Sequence, residues 1–153
     1  MCHIIIVDDK DLSLELIYSF LIREGYQHVK KFDSPLNALH EVKNGFSPDL
    51  VITDYRMPQM NGIQFLYSLY DQINRKIPSI ILTGDPGSLP AIPEKITILE
   101  KGRVEFFKEL LDEVYKICSL LGNSDYDKIY PLKKTSVSQK RTVYRKKEVA
   151  HFT

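Results

Sequence analysis

The sequence has no apolar run longer than about five residues, whereas a helix across a bilayer needs about 20. No membrane span is expected. Nor does the N-terminus carry a charged segment leading into an apolar one, so no secretory leader is expected. Only two cysteines occur, Cys2 and Cys118, and they form no metal-ligand or redox spacing. That scarcity predicts a reduced, cytoplasmic setting, with Cys118 as a core thiol. The four histidines (His3, His28, His40, His151) are scattered without metal-ligand spacing, which favours surface or edge positions over metal or relay roles. An excess of charge of one sign is also missing, the formal net charge being +1.

What is present is one ordinary domain. The 153 residues suffice to bury a real core, and 43% hydrophobic with 27% charged content is that of a globular chain. The near-neutral total hides an asymmetry. Residues 1–122 hold 13 Lys/Arg against 17 Asp/Glu, and residues 123–153 hold 8 against 3. A boundary is placed at Gly122-Asn123-Ser124, dividing a 1–122 domain from a basic 123–153 extension.

Short apolar runs alternate with helical periods. Ile4–Val7, closed by Asp8-Asp9, reads as a buried strand. Leu14, Ile17 and Leu21, with Leu16 and Phe20 beside them, give a helix ending at Gly25. Residues 27–32 form a weaker strand. Ser34 caps a short helix carried by Leu36, Leu39 and Val42. Leu50 to Thr53 is a strand that stops at Asp54, and Ile63, Leu66, Leu69 and Ile73 stripe the next helix. Residues 78–83 and 96–99 are further strands. Val104, Phe107, Leu111, Val114, Cys118 and Leu121 keep 3/4 spacing along a last helix. Between Gly84 and Glu94, three prolines leave room for about one turn, since proline inside a helix costs roughly 3 kcal/mol. The pattern predicts a doubly wound, five-stranded parallel sheet with its fourth helix shortened or lost.

In such a sheet the ligand crevice lies at the carboxyl ends of the strands. Asp8 and Asp9, Asp54, Thr83 and Lys101 all fall at those ends. Singly, each has a bland reading: a solvated strand end, the start of a loop, a turn, a surface lysine. Together they point to one crevice.

These residues, in this order, resemble the receiver domain of two-component response regulators. The likeness covers about residues 3–121 and rests on Val7-Asp8-Asp9, on Asp54 through Gly62, on Leu82-Thr83-Gly84 and on Lys101. It implies a flavodoxin-like fold and a Mg²⁺ site in which Asp9, Asp54 and the Arg56 backbone carbonyl are ligands and Asp8 acts through water. It further implies that Asp54 takes a phosphoryl group from a phosphohistidine. Thr83, Gly84 and Lys101 would then hold that group. Implied partners are a histidine kinase or histidine phosphotransfer protein, a downstream protein target and, as a lesser option, a second copy in a homodimer.

Three departures bear on switching. The aromatic residue usual three positions before the lysine is Ile98, the proline usual after it is Gly102, and the fourth helix is proline-broken. A receiver that binds without switching therefore stays open as an alternative. An aspartyl-phosphate phosphohydrolase is disfavoured, because Arg56 stands where such enzymes need a second acid. The extension interleaves Lys133-Lys134, Lys140-Arg141 and Arg145-Lys146-Lys147 with Tyr130, Tyr144 and Phe152. It is too short for a helix-turn-helix domain, and nucleic acid is a weaker candidate there than a solvated tail or a protein contact.

Overall fold

A computed structural model describes residues 1–92 and 95–121. The proposed extension lies outside the described residues, as does the 122/123 boundary. The strands are β1 (Ile4–Val7), β2 (Val29–Phe32), β3 (Leu50–Asp54), β4 (Ser79–Thr83) and β5 (Ile96–Glu100). The helices are α1 (Asp11–Arg23), α2 (Pro35–Lys43), α3 (Gly62–Ile73) and α4 (Phe106–Ser119). All pairings are parallel, in the order β2-β1-β3-β4-β5. The strand order reverses between β1 and β3, where Val7 is in register with Thr53. Asp8 and Asp54 therefore leave the sheet side by side.

The three inner strands β1, β3 and β4 are buried on both faces, which is why they read as mainly apolar runs, whereas the edge strands β2 and β5 are partly exposed. One core layer joins Ile4, Ile6, Ile52 and Leu82 to α1 and α4. The other joins Ile5, Val7, Val51 and Ile81 to α2 and α3. The helix start at Gly62 is fixed by a reciprocal cap. Asn61 accepts from the Gln64 backbone N–H, and the Gln64 side chain accepts from that of Asn61. Between β4 and β5 the described residues form one 3-10 turn, Pro86–Ser88, and no α-helix, in keeping with the prolines.

Several sequence expectations need correction. The buried side of α4 is Phe106, Leu110, Val114 and Ile117, whereas Val104 is 97% exposed and Phe107 also lies at the surface. On α2, Pro35 and Ala38 are buried beside Val42, and Leu36 is exposed. Ser34 holds the cap position of α2 without a side-chain hydrogen bond. Cys118 is no free thiol. It is bonded to Cys2, with the two Cα atoms 5.6 Å apart. The start of β1 and the end of α4 meet only in space, so spacing could not show the pair, and cysteine usage no longer bears on compartment.

The α4 correction is directly measurable. Leu110→Ala should cost about 2–5 kcal/mol in chemical denaturation, as a buried leucine does. Val104→Ala should stay within about 0.5 kcal/mol of the parent. Comparable losses from both would contradict the placement of the stripe.

Candidate functional site

Each side chain of the site is delivered by the end of a strand. Asp8 and Asp9 follow β1, Asp54 closes β3, Thr83 closes β4 and Lys101 follows β5. Asp8, Asp54 and Thr83 are buried, so their polar atoms must be satisfied within the crevice. Lys101 does most of this. Its ammonium donates to Asp8 Oδ2 at 2.8 Å and to Ser13 Oγ at 3.1 Å, and lies 2.9 Å from Asp54 Oδ1. The Lys101 backbone N–H donates to the Thr83 carbonyl at 2.8 Å, which locks the lysine to the adjoining strand end. Gly102 follows with φ +85°, a conformation closed to proline, and no peptide among the described residues is cis.

Two ammoniums, Lys101 and the more exposed Lys10 at 3.6 Å from Asp54 Oδ2, face three acids. Ligand oxygens of Asp8, Asp9 and Asp54 all lie within 4.8 Å of one another. Asp9 Oδ1 and Asp54 Oδ2 are buried and make no hydrogen bond. Burial first, and then the Asp8 charge, raise the Asp54 pKa from its ordinary 3.8, against the lowering pull of Lys101. Burial alone would lower the Lys101 pKa, but hydrogen bonds to Asp8 and Asp54 outweigh it and raise it. The lysine is thus firmly cationic, while the carboxylates remain under-compensated. Two buried acid oxygens without a hydrogen bond, in an all-oxygen donor set, fit a small hard dication such as Mg²⁺.

Beside the acids opens a cavity of about 470 Å³, lined by Lys10, Ser13, Asp54, Arg56, Thr83, Gly84, Asp85 and Lys101. Nothing lies within 4 Å of where a Gly84 side chain would begin, so the cavity is clear there. Thr83 Oγ1 accepts from the Asp85 N–H at 3.2 Å, which leaves its own O–H free to donate into the cavity. The Arg56 guanidinium donates to Ser88 Oγ at 3.3 Å, linking the loop after β3 to the 3-10 turn.

Two residues at this site escaped sequence reasoning. Lys10 Nζ sits 3.6 Å from Asp54 Oδ2, and Ser13 orients Lys101. Both lie within five residues of Asp8-Asp9, Lys10 at the cap of α1 and Ser13 in its first turn, and that nearness to the acids was the available signal. The loop carrying Asp54 also rests on one glycine. A Cβ at Gly62 would stand 2.6 Å from the Asp54 carbonyl oxygen, and the Gly62 N–H donates to the Tyr55 carbonyl at 2.8 Å. Gly62→Ala should destabilise by about 1–3 kcal/mol and weaken Mg²⁺ binding, since backbone must move. Unchanged melting and metal affinity would contradict that packing.

The fold and its acidic crevice define the class: a doubly wound α/β domain whose chemistry sits at the strand-order reversal. The family description "Response regulator receiver domain" matches residues 4–107, and the chain belongs to that family. Among relatives, the transcriptional regulatory protein FlgR of Helicobacter pylori is 30% identical over 136 residues, covering 85% of this chain and 32% of FlgR. The chain thus spans about a third of that relative's length. Chemotaxis protein CheY1 of the same species is 29% identical over 100 residues, covering 65% of this chain and 77% of CheY1. In fold, the receiver domain of hybrid histidine kinase CckA is similar, with TM-score 0.62 and 23% identity. It covers 75% of this chain and 97% of its own. A response regulator receiver protein from Clostridium thermocellum gives 0.64 at 23% identity, covering 78% and 95%. Domains of this family are signalling modules of two-component systems rather than enzymes, and they work through contacts with histidine kinases or phosphotransfer proteins and with downstream targets. Among the described residues no helix is long and apolar enough to cross a membrane.

Proposed function

We propose that this chain is a Mg²⁺-dependent phosphoacceptor that takes a phosphoryl group from a phosphohistidine onto Asp54. The observation that carries the reading is the pairing of a partly neutralised aspartate with a clear cavity ringed by Lys101, Thr83 and Lys10. Asp9, Asp54 and the Arg56 carbonyl would hold the metal, with Asp8 acting through water. Bound there, Mg²⁺ would supply charge neutralisation for the transferring group. Lys101 would pair with one peripheral oxygen of that group and Thr83 would donate a hydrogen bond to another. Asp54 attacks phosphorus, the P–N bond to the donor imidazole breaks, and the imidazole nitrogen leaves with the bonding electron pair. Positioning and charge do the work, and no general base is required.

The donor would be a histidine kinase or histidine phosphotransfer protein, and the output would run through contacts with a protein target. Residues 1–122 would form the receiver, leaving 123–153 as an appended basic segment. Intact mass after incubation with a small phosphoryl donor should rise by one phosphoryl group, and a chelator should abolish the gain. A gain that ignores the chelator would overturn the metal-dependent reading.

A second reading is favoured by the 3-10 turn between β4 and β5 and by the aliphatic Ile98 on β5. It is a receiver that binds its partner whether or not it is phosphorylated. Amide chemical shifts separate the two. Changes that spread from Thr83 into β5 on phosphorylation support switching, and changes confined to the crevice support the second reading.

A further inference from the structure

The Cys2–Cys118 bond joins the first residues of the chain to the last turn of α4, one residue before that helix ends at Ser119. Both cysteines are half-buried against the core layer formed by Ile4, Leu110, Val114 and Ile117, so neither residue is sealed inside the core. Nothing else in the fold depends on the bond. Both core layers close through strand pairing and helix packing, and a domain of this size needs no disulfide to stay folded. The oxidised and reduced forms are therefore both folded states, which differ chiefly in how firmly the end of α4 is held.

We infer that Cys2 and Cys118 are a reversible redox pair, a second covalent site on this domain, whose bond state sets the order of the α4 C-terminus. The reactants are thiols and disulfides of the glutathione or dithiol-oxidoreductase class. In opening, a thiolate of the reductant attacks one Sγ, and the other Sγ leaves with the bond's electron pair and takes up a proton. The reductant's second thiolate then displaces the first Sγ and closes its own disulfide. Two electrons have passed to the protein as two thiols. Closing runs the same steps backwards, an external disulfide accepting the electrons.

The consequence is local. Covalent linkage restrains the α4 end against β1, and its loss leaves the last turn held by the buried Ile117 and the half-buried Cys118, so that this turn opens more readily in local unfolding. The crevice lies at the opposite ends of the strands and should not respond.

The test uses the full chain, equilibrated with glutathione disulfide or with a dithiol such as dithiothreitol, and Cys2→Ser beside it. Intact mass should show the oxidised form lighter by two hydrogens, and alkylation should find two thiols only after the dithiol. Amide exchange over residues 116–120 should accelerate roughly tenfold on reduction, with β3 amides unchanged. Cys2→Ser should exchange like the reduced parent under both conditions. The inference is overturned if no intramolecular bond forms, if the native protein resists the dithiol, or if opening leaves exchange at 116–120 unchanged. Because β3 is monitored in the same run, general unfolding is separated from release of α4. Phosphoryl uptake plays no part in the readout, so the proposed phosphoacceptor role stands or falls apart from it.

Discussion

In the presence of a chelator, Asp54→Asn should melt at a higher temperature than the parent. Losing a buried acid normally weakens a fold, but here Lys101 faces two buried carboxylates and can remain paired with Asp8 when one of them is neutralised. Asp54 Oδ2 meanwhile makes no hydrogen bond, and the Lys10 ammonium 3.6 Å away is largely solvent-exposed, so it compensates that charge weakly. The sign follows from the titration. Because burial raises the folded-state pKa of Asp54 above its ordinary 3.8, the parent loses stability as pH rises through that value. The asparagine variant loses none by this route. Its advantage should be absent in strong acid and present at neutral pH, amounting to about 1–3 kcal/mol. Saturating Mg²⁺ should reverse the order. At a hundredfold excess over Kd the ion stabilises the parent by about 2.7 kcal/mol, and the variant, short of a charged ligand, gains less. A variant less stable than the parent under chelator at neutral pH would mean that the acids are already compensated.

Lys101→Met should have the larger and opposite effect. Its ammonium is the cation that hydrogen-bonds Asp8, which is 1% exposed, while also pairing with Asp54. Removing one partner of a buried pair leaves uncompensated charge and costs about 3–5 kcal/mol. Mg²⁺ should restore part of that, because it answers the same charge. Phosphoryl uptake at saturating Mg²⁺ should fall by about 10²-fold, the usual effect of deleting one oxyanion donor. Uptake at the parental rate from the folded variant would assign the transferring oxygens to another group, with Lys10 the nearest candidate.

Much of this architecture was legible because the sheet is parallel and doubly covered. Apolar runs such as Ile4–Val7 end abruptly at acids, and those acids mark the strand ends that build the crevice. The lost helix was legible too, since prolines 86, 90 and 93 forbid it by backbone chemistry alone. Helix faces were harder. Along α4 apolar residues come in doublets, Phe106-Phe107, Leu110-Leu111 and Ile117-Cys118, so two stripes fit the same period equally well. Packing against Ile4, Ile6, Ile52 and Leu82, which no period encodes, selects the first member of each. The Cys2–Cys118 bond and the Lys10–Asp54 approach depend on which ends meet in space, and topology decides both.

The most direct test locates the phosphoryl group. After incubation with a small phosphoryl donor and Mg²⁺, borohydride should reduce an acyl phosphate on Asp54 to homoserine. Peptide sequencing by mass would then find homoserine at position 54 alone, and nothing in a chelator control. Homoserine at Asp8 or Asp9, or phosphate retained on a serine or threonine, would place the chemistry elsewhere and contradict the role given to Asp54.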